Sequence, residues 1–414
     1  MCRGERRLTE EFCGGPDLKE RLAAVKVRAT QGSLEPFWFL DLARSSLKLP
    51  PLMASTIHVA LGERSYDILV ADGLLGRLPD LLKPLKLGSS CAILTDSNVA
   101  PLYAGAARNA LAAAGWRANV HMIGAGENAK SLAVAGQLYE QLAEARLDRK
   151  SFVLALGGGV VGDLAGFIAA TFLRGVDFVQ VPTTLLAMVD SSVGGKVAIN
   201  LPRGKNLVGA FYQPRVVVAD TATLHTLSER EFRAGVAEVI KYGIISDAAL
   251  FAELERELPR LMAKDSLLLA RVIARCCEIK ADVVSQDERE SGLRAILNFG
   301  HTVGHAIEAV TEYGRYLHGE ALAIGMLAAA RLSQKHAGLG AAEVDRIEAL
   351  LRRAGFDLTP PDAPFGQLLD AMRSDKKARE GRLRIVLARR IGEVVVSDAV
   401  NESDIQEVLH VRRR

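Results

Sequence analysis

Residues 152–163 read FVLALGGGVVGD, an apolar run that passes into closely spaced glycines and ends at Asp163. A short apolar run bounded by a turn signal is typical of a buried strand. Gly157, Gly159 and Gly162 have the G-x-G-x-x-G spacing that brings a helix N-terminus close to a pyrophosphate. Alone this spacing is weak evidence, because glycine-rich strand-to-helix turns are common. The stretch nevertheless predicts one strand and one helix of a parallel sheet covered by helices.

The same alternation of strands and helices extends upstream of this stretch. Strands are predicted at residues 57–61, 66–70, 91–95 and 119–123, and helices at residues 102–114 and in the segment that ends near residue 145. Parallel strands end at one edge of a sheet, so we expect Asp96, Glu127 and Gly157 at the same edge. Asp96 is a candidate to accept a ribose hydroxyl, and a helix N-cap or Asx turn is the alternative.

Residues 182–214 read PTTLLAMVDSSVGGKVAINLPRGKNLVGAFYQP and alternate polar side chains with glycines. Glycine lets the backbone approach a ligand closely, and Lys196 and Lys205 supply compact cations suited to phosphate or carboxylate. The alternative is an ordinary surface loop. The apolar runs at residues 178–181 and 216–219 argue against that alternative, because they place the stretch between buried strands. We therefore expect an anion-binding segment.

Beyond residue 219 the spacing of apolar residues becomes helical. The predicted helices cover residues 228–258, 266–285, 301–312, 320–336, 342–354 and 365–375, and a hairpin is predicted around Gly392. The fold class is thus α/β: a Rossmann-like parallel-sheet domain over residues 53–220, then a mainly α-helical domain over residues 221–414. Residues 1–52 lack this alternation and end in Pro50-Pro51, which predicts an extension of unassigned role.

The helical half contains a group of possible metal ligands: Glu238, His301, His305 and His318. Two imidazoles and a carboxylate form a well-attested catalytic zinc set. His301 and His305 share one helix face, but no Glu follows His301, so the metalloprotease signature is absent. For any single histidine a structural role is the more common outcome. Lys241 and Arg294 add cations on related faces, and their alternative is a solvated helix surface.

Composition excludes several other classes of function. The chain has 52 basic and 49 acidic residues, a balance that argues against binding to nucleic acid or to a membrane surface. No stretch is apolar enough to span a membrane. Five cysteines without disulfide or zinc-ribbon spacing indicate a reducing cytoplasm, and the N-terminus has no apolar core typical of a secretory signal.

Seven segments taken together resemble the 3-dehydroquinate synthase family of sugar phosphate cyclases. In chain order they are GGGVVGDLAGF (157–167), VPTTLLAMVDSSVGGKVAIN (181–200), GKNLVGAFYQP (204–214), GVAEVIKYGII (235–245), LNFGHTVGHAIE (297–308), HGEALAIGM (318–326) and DKKAREGRLRIVL (375–387). Seven ordered matches are highly specific, and they extend over nearly all of the chain after residue 53. Residues 1–52 have no counterpart in this resemblance.

The resemblance implies an NAD-binding α/β domain, a metal-binding helical domain, an active site between them and a homodimer. The implied metal is zinc, with cobalt as an alternative. The implied metal ligands are Glu238, His301 and His318. The implied cofactor-binding residues are Asp96, Asn98, Glu127, Lys130, Gly158, Gly159, Asp163, Thr183, Thr184 and Lys205. The implied catalytic and substrate-binding residues are Asp190, Lys196, Asn206, Lys241, Arg294, Asn298, His305 and Lys376, with His305 near the phosphate and not a metal ligand.

The activity implied by the resemblance is conversion of 3-deoxy-D-arabino-heptulosonate 7-phosphate to 3-dehydroquinate and phosphate, a step of the shikimate pathway in aromatic amino acid biosynthesis. The reaction proceeds by transient oxidation, phosphate elimination, reduction and intramolecular aldol closure. Three alternatives stay open: a sugar phosphate cyclase with another substrate, a metal-dependent polyol dehydrogenase, and a non-catalytic nucleotide-binding module. Arg294, Lys376 and the LNFGHTVGH segment favour the 3-dehydroquinate synthase activity over the other cyclases, because a substrate carboxylate needs a cation.

Overall fold

The structure is a computed structural model that describes residues 55–312, 314–374 and 383–410. The described residues belong to one compact unit, Leu49–Arg414. The predicted extension over residues 1–52 and the predicted site residue Lys376 lie outside the described residues. The division into two domains at residue 220 stays a prediction. No helix in the described part of the chain has the length and apolar character needed to cross a membrane.

A seven-stranded sheet forms the first half of the described chain. Its strands are β1 (Ser55–Val59), β2 (Tyr66–Ala71), β3 (Ser90–Asp96), β4 (Arg117–Ile123), β5 (Phe152–Gly157), β6 (Asp177–Pro182) and β9 (Val216–Asp220), in the order β1-β2-β9-β6-β5-β3-β4. All neighbours are parallel except β1 and β2. Strand β5 is buried along its whole length, as expected for a central strand covered on both faces. The predicted parallel sheet is confirmed.

The sheet helices are α1 (Leu78–Leu82), α2 (Gly105–Ala113), α3 (Leu132–Glu144) and α4 (Gly159–Thr171). Strand β3 lies between β4 and β5, so the chain leaves β3 in one direction and returns on its other side. In open parallel sheets, ligands bind in the crevice at such a switch point, beyond the carboxyl ends of the strands. Asp96 ends β3 and Gly157 ends β5, so both lie at this crevice.

Residues 196–211 form an antiparallel hairpin that the sequence pattern did not predict. Its strands are β7 (Lys196–Leu201) and β8 (Gly204–Phe211), and they form a separate two-stranded sheet. The hairpin packs on α4, where a Cβ at Gly166 would lie 2.2 Å from Cγ1 of Val197. Only glycine permits this close approach. The segment that is predicted to bind an anion therefore packs closely against the helix that follows the glycine-rich turn.

The second half of the described chain is mainly helical, as predicted. Its elements are α5 (Glu229–Ser246), α6 (Ala248–Met262), α7 (Ser266–Gln286), α8 (His301–Val310), α9 (His318–His336), α10 (Ala341–Arg353), α11 (Phe365–Ser374), the hairpin β10 (Ile385–Arg390) and β11 (Glu393–Ser397), and α12 (Glu402–His410). The single helix predicted over residues 228–258 is two helices. Asp247 separates them, because its carboxylate accepts hydrogen bonds from the amides of Ala249 and Leu250 and begins α6.

Candidate active site

Three helices bring one carboxylate and two imidazoles together in the helical half. Glu238 lies in α5, His301 is the first residue of α8, and His318 is the first residue of α9. One ligand atom from each of the three lies within 4.8 Å of the others. A Cβ at Gly319 would lie 2.0 Å from the carbonyl oxygen of Ala234, so glycine at this position lets α9 begin directly against α5. The three predicted ligands are thus held by helix packing.

The charges of this cluster suit a divalent cation. Glu238 is fully buried and pairs with the equally buried Lys241. Burial would raise the pKa of Glu238, but Lys241, His301 and His318 outweigh it and hold that pKa well below its usual range. Burial lowers the pKa of His301 to about 3, so its imidazole is neutral and free to ligate. Oε2 of Glu238 has Lys241 as its ion-pair partner and no hydrogen-bond partner within the described part of the chain. This donor set fits a metal ion.

A second group of possible ligands shares His318 with the first. It consists of His305, Glu308 and His318. Nδ1 of His318 lies 3.0 Å from Oε2 of Glu308, while its Nε2 lies 3.2 Å from Oε1 of Glu238. A carboxylate on the far nitrogen fixes the orientation of a ligating imidazole. Glu308, which the sequence reasoning missed, therefore has the geometry of an orienting group for His318.

A cavity of about 100 Å³ adjoins the metal-ligand cluster. It is lined by Asp190, Lys196, Lys241, Lys280, Glu290, Arg294, Leu297, Asn298 and His301. Six of the predicted site residues therefore meet at one place: Asp190, Lys196, Lys241, Arg294, Asn298 and His301. Neither Lys241 nor Arg294 has the solvated position that was their alternative, because both side chains are buried. Four cations around one cavity favour an anionic ligand.

Two residues of this cavity, Lys280 and Glu290, were missed by the sequence reasoning. Nζ of Lys280 donates a hydrogen bond of 2.7 Å to Oδ1 of Asp190, and both groups lie at the junction of α7 with the sheet half. Burial would raise the pKa of Asp190, but Lys280 outweighs it and lowers that pKa to about 2. Lys280 is a buried lysine in an otherwise ordinary amphipathic helix, so spacing alone gave no signal for it.

The turn before Arg294 is organised by Asp287. The Asp287 carboxylate accepts hydrogen bonds from the backbone amides of Ser291, Gly292 and Arg294 at 2.8 to 2.9 Å. The guanidinium of Arg294 in turn donates to the carbonyl oxygens of Gly194 and Glu288. These bonds fix the arginine beside the start of the β7–β8 hairpin.

A polar network on the sheet side joins several of the predicted cofactor residues. Nζ of Lys130 donates to Oδ2 of Asp163 and to Oδ1 of Asn206, each at 2.6 Å. Asn206 has a left-handed backbone with φ of 55°. Asn200, which was not predicted, donates to Oε1 of Glu127 at 2.7 Å and accepts from the amide of Asn206 at 2.8 Å. The network ties the hairpin to the loop that follows β4.

The turn after β5 has the geometry of a dinucleotide site. Gly158 precedes α4, and a Cβ there would lie 3.1 Å from Cγ2 of Thr184. The helix begins without a side-chain cap, so its first amides point into the crevice. Oγ1 of the buried Thr183 has no hydrogen-bond partner among the described residues. The amide of Thr183 donates to the carbonyl oxygen of Gly157, so its buried hydroxyl belongs to the same turn. Amides without a cap and a buried hydroxyl at this turn fit a pyrophosphate-bearing cofactor.

Two of the predicted cofactor residues have partners that bear on their role. Oδ1 of Asp96 accepts hydrogen bonds from the amides of Asn98 and Val99 at 2.8 and 3.0 Å, which is the Asx-turn geometry of the alternative interpretation. Nζ of Lys205 lies 3.3 Å from Oε1 of Glu308. Lys205 therefore lies between the sheet network and the metal-ligand cluster.

Both halves of the chain match known sequence families. Residues 120–234 match the model described as 3-dehydroquinate synthase N-terminal, and residues 235–378 match the model described as 3-dehydroquinate synthase C-terminal. The chain is 51% identical over 358 residues to the 3-dehydroquinate synthase of Desulforamulus reducens, an alignment that covers 86% of this chain and 99% of that protein. These matches extend over most of the chain.

Two solved structures of related cyclases have the same fold. The first is ValA, the 2-epi-5-epi-valiolone synthase of Streptomyces hygroscopicus subsp. jinggangensis 5008 with NAD⁺ and Zn²⁺ bound: its TM-score is 0.78 at 29% identity, over 85% of this chain and 98% of that one. The second is a 2-deoxy-scyllo-inosose synthase complexed with carbaglucose-6-phosphate, NAD⁺ and Co²⁺. Its TM-score is 0.77 at 27% identity, and the alignment covers 86% of this chain and 99% of that one.

Proposed function

The chain belongs to the 3-dehydroquinate synthase family, and from this premise we propose how its residues carry out the family's reaction. The enzyme is an NAD-dependent, phosphate-eliminating cyclase that converts 3-deoxy-D-arabino-heptulosonate 7-phosphate to 3-dehydroquinate and phosphate. One observation supports the assignment of roles: the position of the metal-ligand set beside the cavity and the crevice. A Glu-His-His set, in which Glu238 and His301 are buried and His318 is partly buried, adjoins a cavity lined by four cations, at the edge of a dinucleotide crevice.

The two cofactors are assigned to separate halves of the site. Glu238, His301 and His318 would hold a divalent metal, with zinc preferred over cobalt because two imidazoles and a carboxylate form a common catalytic zinc set. Gly158, Gly159 and Thr183 would lie against the pyrophosphate of NAD. The remaining cofactor residues are Asp96, Asn98, Glu127, Lys130, Asp163, Thr184 and Lys205. When bound, the metal supplies Lewis acidity and NAD⁺ supplies reversible hydride acceptance.

The side chains of the cavity bind and orient the substrate. Lys196, Arg294 and Asn298 face the same cavity from the hairpin and from the segment before α8. A guanidinium binds carboxylate with two parallel hydrogen bonds, and an ammonium neutralises charge at one point. We assign Arg294 to the substrate carboxylate and Lys196 to the reacting end of the sugar. His305 and Lys376 are assigned to the phosphate, and Asn206 lies where the hairpin meets the cofactor network.

Two buried ion pairs hold the reacting region in place. Lys241 pairs with the metal-ligand carboxylate of Glu238, and Lys280 pairs with Asp190, which lines the cavity, so each of these carboxylates has a cation beside it. Buried charges without partners are costly, and paired ones fix one arrangement. We infer that the two lysines keep Glu238 and Asp190 ionised before substrate binds. Glu238 is then ready to ligate the metal, and Asp190 is ready to accept a hydrogen bond from a substrate hydroxyl.

The assembly and location of the enzyme follow as further proposals. The described cysteines Cys91, Cys276 and Cys277 are free and buried, which supports the reducing cytoplasm expected for a biosynthetic enzyme. Membership of the family supports a homodimer. Light scattering after size-exclusion chromatography tests the dimer, and a single species with the mass of one chain would contradict it.

One assay tests the reaction. Purified protein with NAD⁺ should release phosphate from 3-deoxy-D-arabino-heptulosonate 7-phosphate, lose that activity with a chelator, and produce no net NADH. Stoichiometric accumulation of NADH would indicate a polyol dehydrogenase instead. Turnover of sedoheptulose 7-phosphate in preference to the heptulosonate would indicate another sugar phosphate cyclase, because that sugar has no carboxylate for Arg294.

A pair of variants tests the choice between the two groups of possible metal ligands. His305→Ala should retain the metal and lose turnover, whereas His318→Ala should lose the metal, because His318 belongs to both groups and His305 only to the second. Metal content measured by plasma mass spectrometry distinguishes them. Loss of the metal in His305→Ala together with its retention in His318→Ala would overturn the assignment.

A further inference from the structure

Helix α5 contacts the start of α9 along one stripe of its surface. Residues 230, 234 and 238 of α5 are four apart, so they lie on the same face of that helix. Each of them contacts a different residue of the first turn of α9. The three pairs are Glu238 with His318, Ala234 with Gly319, and Arg230 with Glu320. Three successive turns of α5 therefore hold three consecutive residues of α9, and the first of these is a proposed metal ligand.

The Arg230 guanidinium holds the chain on both sides of His318. Its Nε donates a hydrogen bond of 2.7 Å to Oε1 of Glu320, and its Nη2 donates one of 2.8 Å to Oε2 of the same carboxylate. Nη2 also donates to the carbonyl oxygen of Arg315 at 3.0 Å. Two parallel bonds between a guanidinium and a carboxylate fix direction as well as distance. One side chain of α5 thus binds the chain shortly before His318 and again shortly after it.

The Glu320 carboxylate also caps the start of α9. Its Oε2 accepts a hydrogen bond of 2.8 Å from the amide of Leu317, and the Glu320 amide donates to the carbonyl oxygen of Leu317 at 3.0 Å. Leucine has no side-chain oxygen that could cap a helix, so the side-chain hydrogen bond at this helix start comes from Glu320. His318 lies between the two residues of this reciprocal pair. Its backbone is therefore fixed by a carboxylate that Arg230 holds against α5.

His318 needs this support more than the other two proposed ligands do. Glu238 and His301 are buried, whereas 28% of the His318 side chain is exposed. Carboxylates at both ring nitrogens orient the imidazole, but they do not fix the backbone that carries it. A metal site keeps its geometry only when its ligands stay within about 0.5 Å of their positions. A fixed backbone at His318 is therefore a condition for ligation.

We propose that Arg230 is a positioning residue, which acts through Glu320 to hold the His318 backbone where its imidazole ligates the metal. This inference rests on the proposed function, because it requires a metal at Glu238, His301 and His318. The exposed fraction is 55% for the Arg230 side chain and 21% for the Glu320 side chain. Ion pairs in contact with water contribute little to overall stability. Loss of the pair should therefore lower the affinity for the metal far more than it disturbs the fold.

The zinc affinity of the enzyme with NAD⁺ bound tests this role. The zinc-loaded protein is titrated with a chromophoric chelator, whose absorbance measures the zinc that it removes. Arg230→Met keeps an apolar stem and removes the guanidinium, and its Kd for Zn²⁺ should rise about tenfold. The absorption spectrum of the Co²⁺-loaded variant should also differ from that of the wild type, because a displaced imidazole changes the ligand geometry.

Arg346→Met is the matched control. Arg346 also forms a bidentate pair, with Glu255 at 2.9 and 2.6 Å, and 45% of its side chain is exposed. That pair joins α10 to α6, and neither helix carries a proposed metal ligand. The control should lower the urea midpoint about as much as Arg230→Met does, while its Kd for Zn²⁺ stays within about twofold of the wild-type value.

A second variant tests whether Arg230 acts through Glu320. Glu320→Gln keeps an oxygen for the Leu317 amide and loses the charge that Arg230 binds, so its Kd for Zn²⁺ should also rise about tenfold. The double variant Arg230→Met, Glu320→Gln should bind zinc no more weakly than the weaker single variant, because both changes remove one interaction. Losses that multiply would contradict the route through Glu320.

Two other results would overturn the inference. The first is an Arg230→Met variant that binds zinc as tightly as the wild type. The second is an equal loss of affinity in Arg346→Met, which would mean that general loosening of the helices, not the position of His318, sets the affinity. Glu320→Gln provides the same comparison if Arg230→Met fails to fold. A wild type that binds no zinc contradicts the proposed metal site, whereas zinc binding that is equal in all variants contradicts only the role of Arg230.

Discussion

The metal-ligand cluster and the substrate cavity adjoin each other but are built differently. Glu238 and His301 are buried and lie on helices that each touch α9 at a glycine contact. Lys196 lies at the start of a hairpin with 48% of its side chain exposed, and Glu290 lies at the apex of a turn. Helices suit a cluster whose geometry must not change. A hairpin and a turn suit a cavity that must admit and release a substrate.

Removing one metal ligand is expected to have the largest effect, because the buried cluster has no substitute for it. Glu238→Gln should lower bound metal at least tenfold and phosphate release about a thousandfold, since Lewis acidity contributes several kcal/mol to such reactions. Metal content and the phosphate-release assay measure both quantities. Glu231→Gln, on the exposed face of the same helix, is the control and should leave both unchanged. Normal metal content in Glu238→Gln would contradict the ligand set.

Removing the charge of Lys196, the half-exposed cation of the cavity, should reduce turnover without destabilising the fold. Lys196→Ala is expected to lower kcat/KM about a hundredfold, because a charged hydrogen bond to the reacting substrate is lost. The free energy of unfolding should change by less than about 1 kcal/mol, since exposed ion pairs contribute little. Kinetics and urea unfolding measure the two effects, with the exposed Lys83→Ala as the control. An unfolded Lys196→Ala variant would place this lysine with the structural residues.

A substitution of Lys130 tests whether the buried residues of the proposed cofactor site contribute to stability, as we expect for the buried metal-ligand cluster. Lys130 is buried and pairs with Asp163 at 2.6 Å. Lys130→Met should weaken NAD⁺ binding about tenfold and cost about 2 kcal/mol of stability, because it leaves Asp163 without its cation. Calorimetric titration of NAD⁺ and urea unfolding measure the two losses. The double variant Lys130→Met, Asp163→Asn should recover most of the stability, and failure to recover it would contradict this explanation.

The parts of the molecule that could be predicted from sequence are those encoded locally. The glycine-rich turn at residues 157–163 follows a buried strand and precedes a helix, as its spacing indicated. Short motifs place His301 and His318 at helix starts and Glu238 on a helix face, whereas the packing of the helices brings the three together. Periodicity and turn chemistry depend on neighbouring residues, so a single sequence contains them. The resemblance to a family then supplied the roles.

The parts that could not be predicted depend on contacts between distant segments. Lys280 is identified as a site residue only by Asp190, which lies 90 residues earlier in the chain. Glu290 lies in a charged turn that resembles any solvated loop until Lys196 is placed beside it. The β7–β8 hairpin was missed because its glycines and lysines suggested a loop, and tertiary packing on α4 overrides that local preference.

The smallest expected effect concerns Asp287, whose charge anchors the turn on the cavity side of the comparison. Burial would raise its pKa, but hydrogen bonds from the amides of Arg294, Ser291 and Gly292 outweigh it and lower that pKa from 3.8 to about 2. A lowered pKa in the folded state stabilises the protein above the unfolded value and stops doing so as the pH falls through the folded value. The carboxylate should therefore contribute about 2 kcal/mol at pH 6 and nothing near pH 2.

Asp287→Asn tests this contribution directly. The difference in unfolding free energy between the variant and the wild type should be about 2 kcal/mol at pH 6 and should shrink toward zero between pH 4 and pH 2. Urea unfolding at several pH values measures it, with the exposed Asp345→Asn as the control. A difference that stays constant with pH would mean that lost shape, not lost charge, accounts for the effect. In that case packing, not the charge of Asp287, would hold the turn that carries Glu290. The turn and the metal-ligand cluster would then be built more alike than the hydrogen bonds of Asp287 indicate.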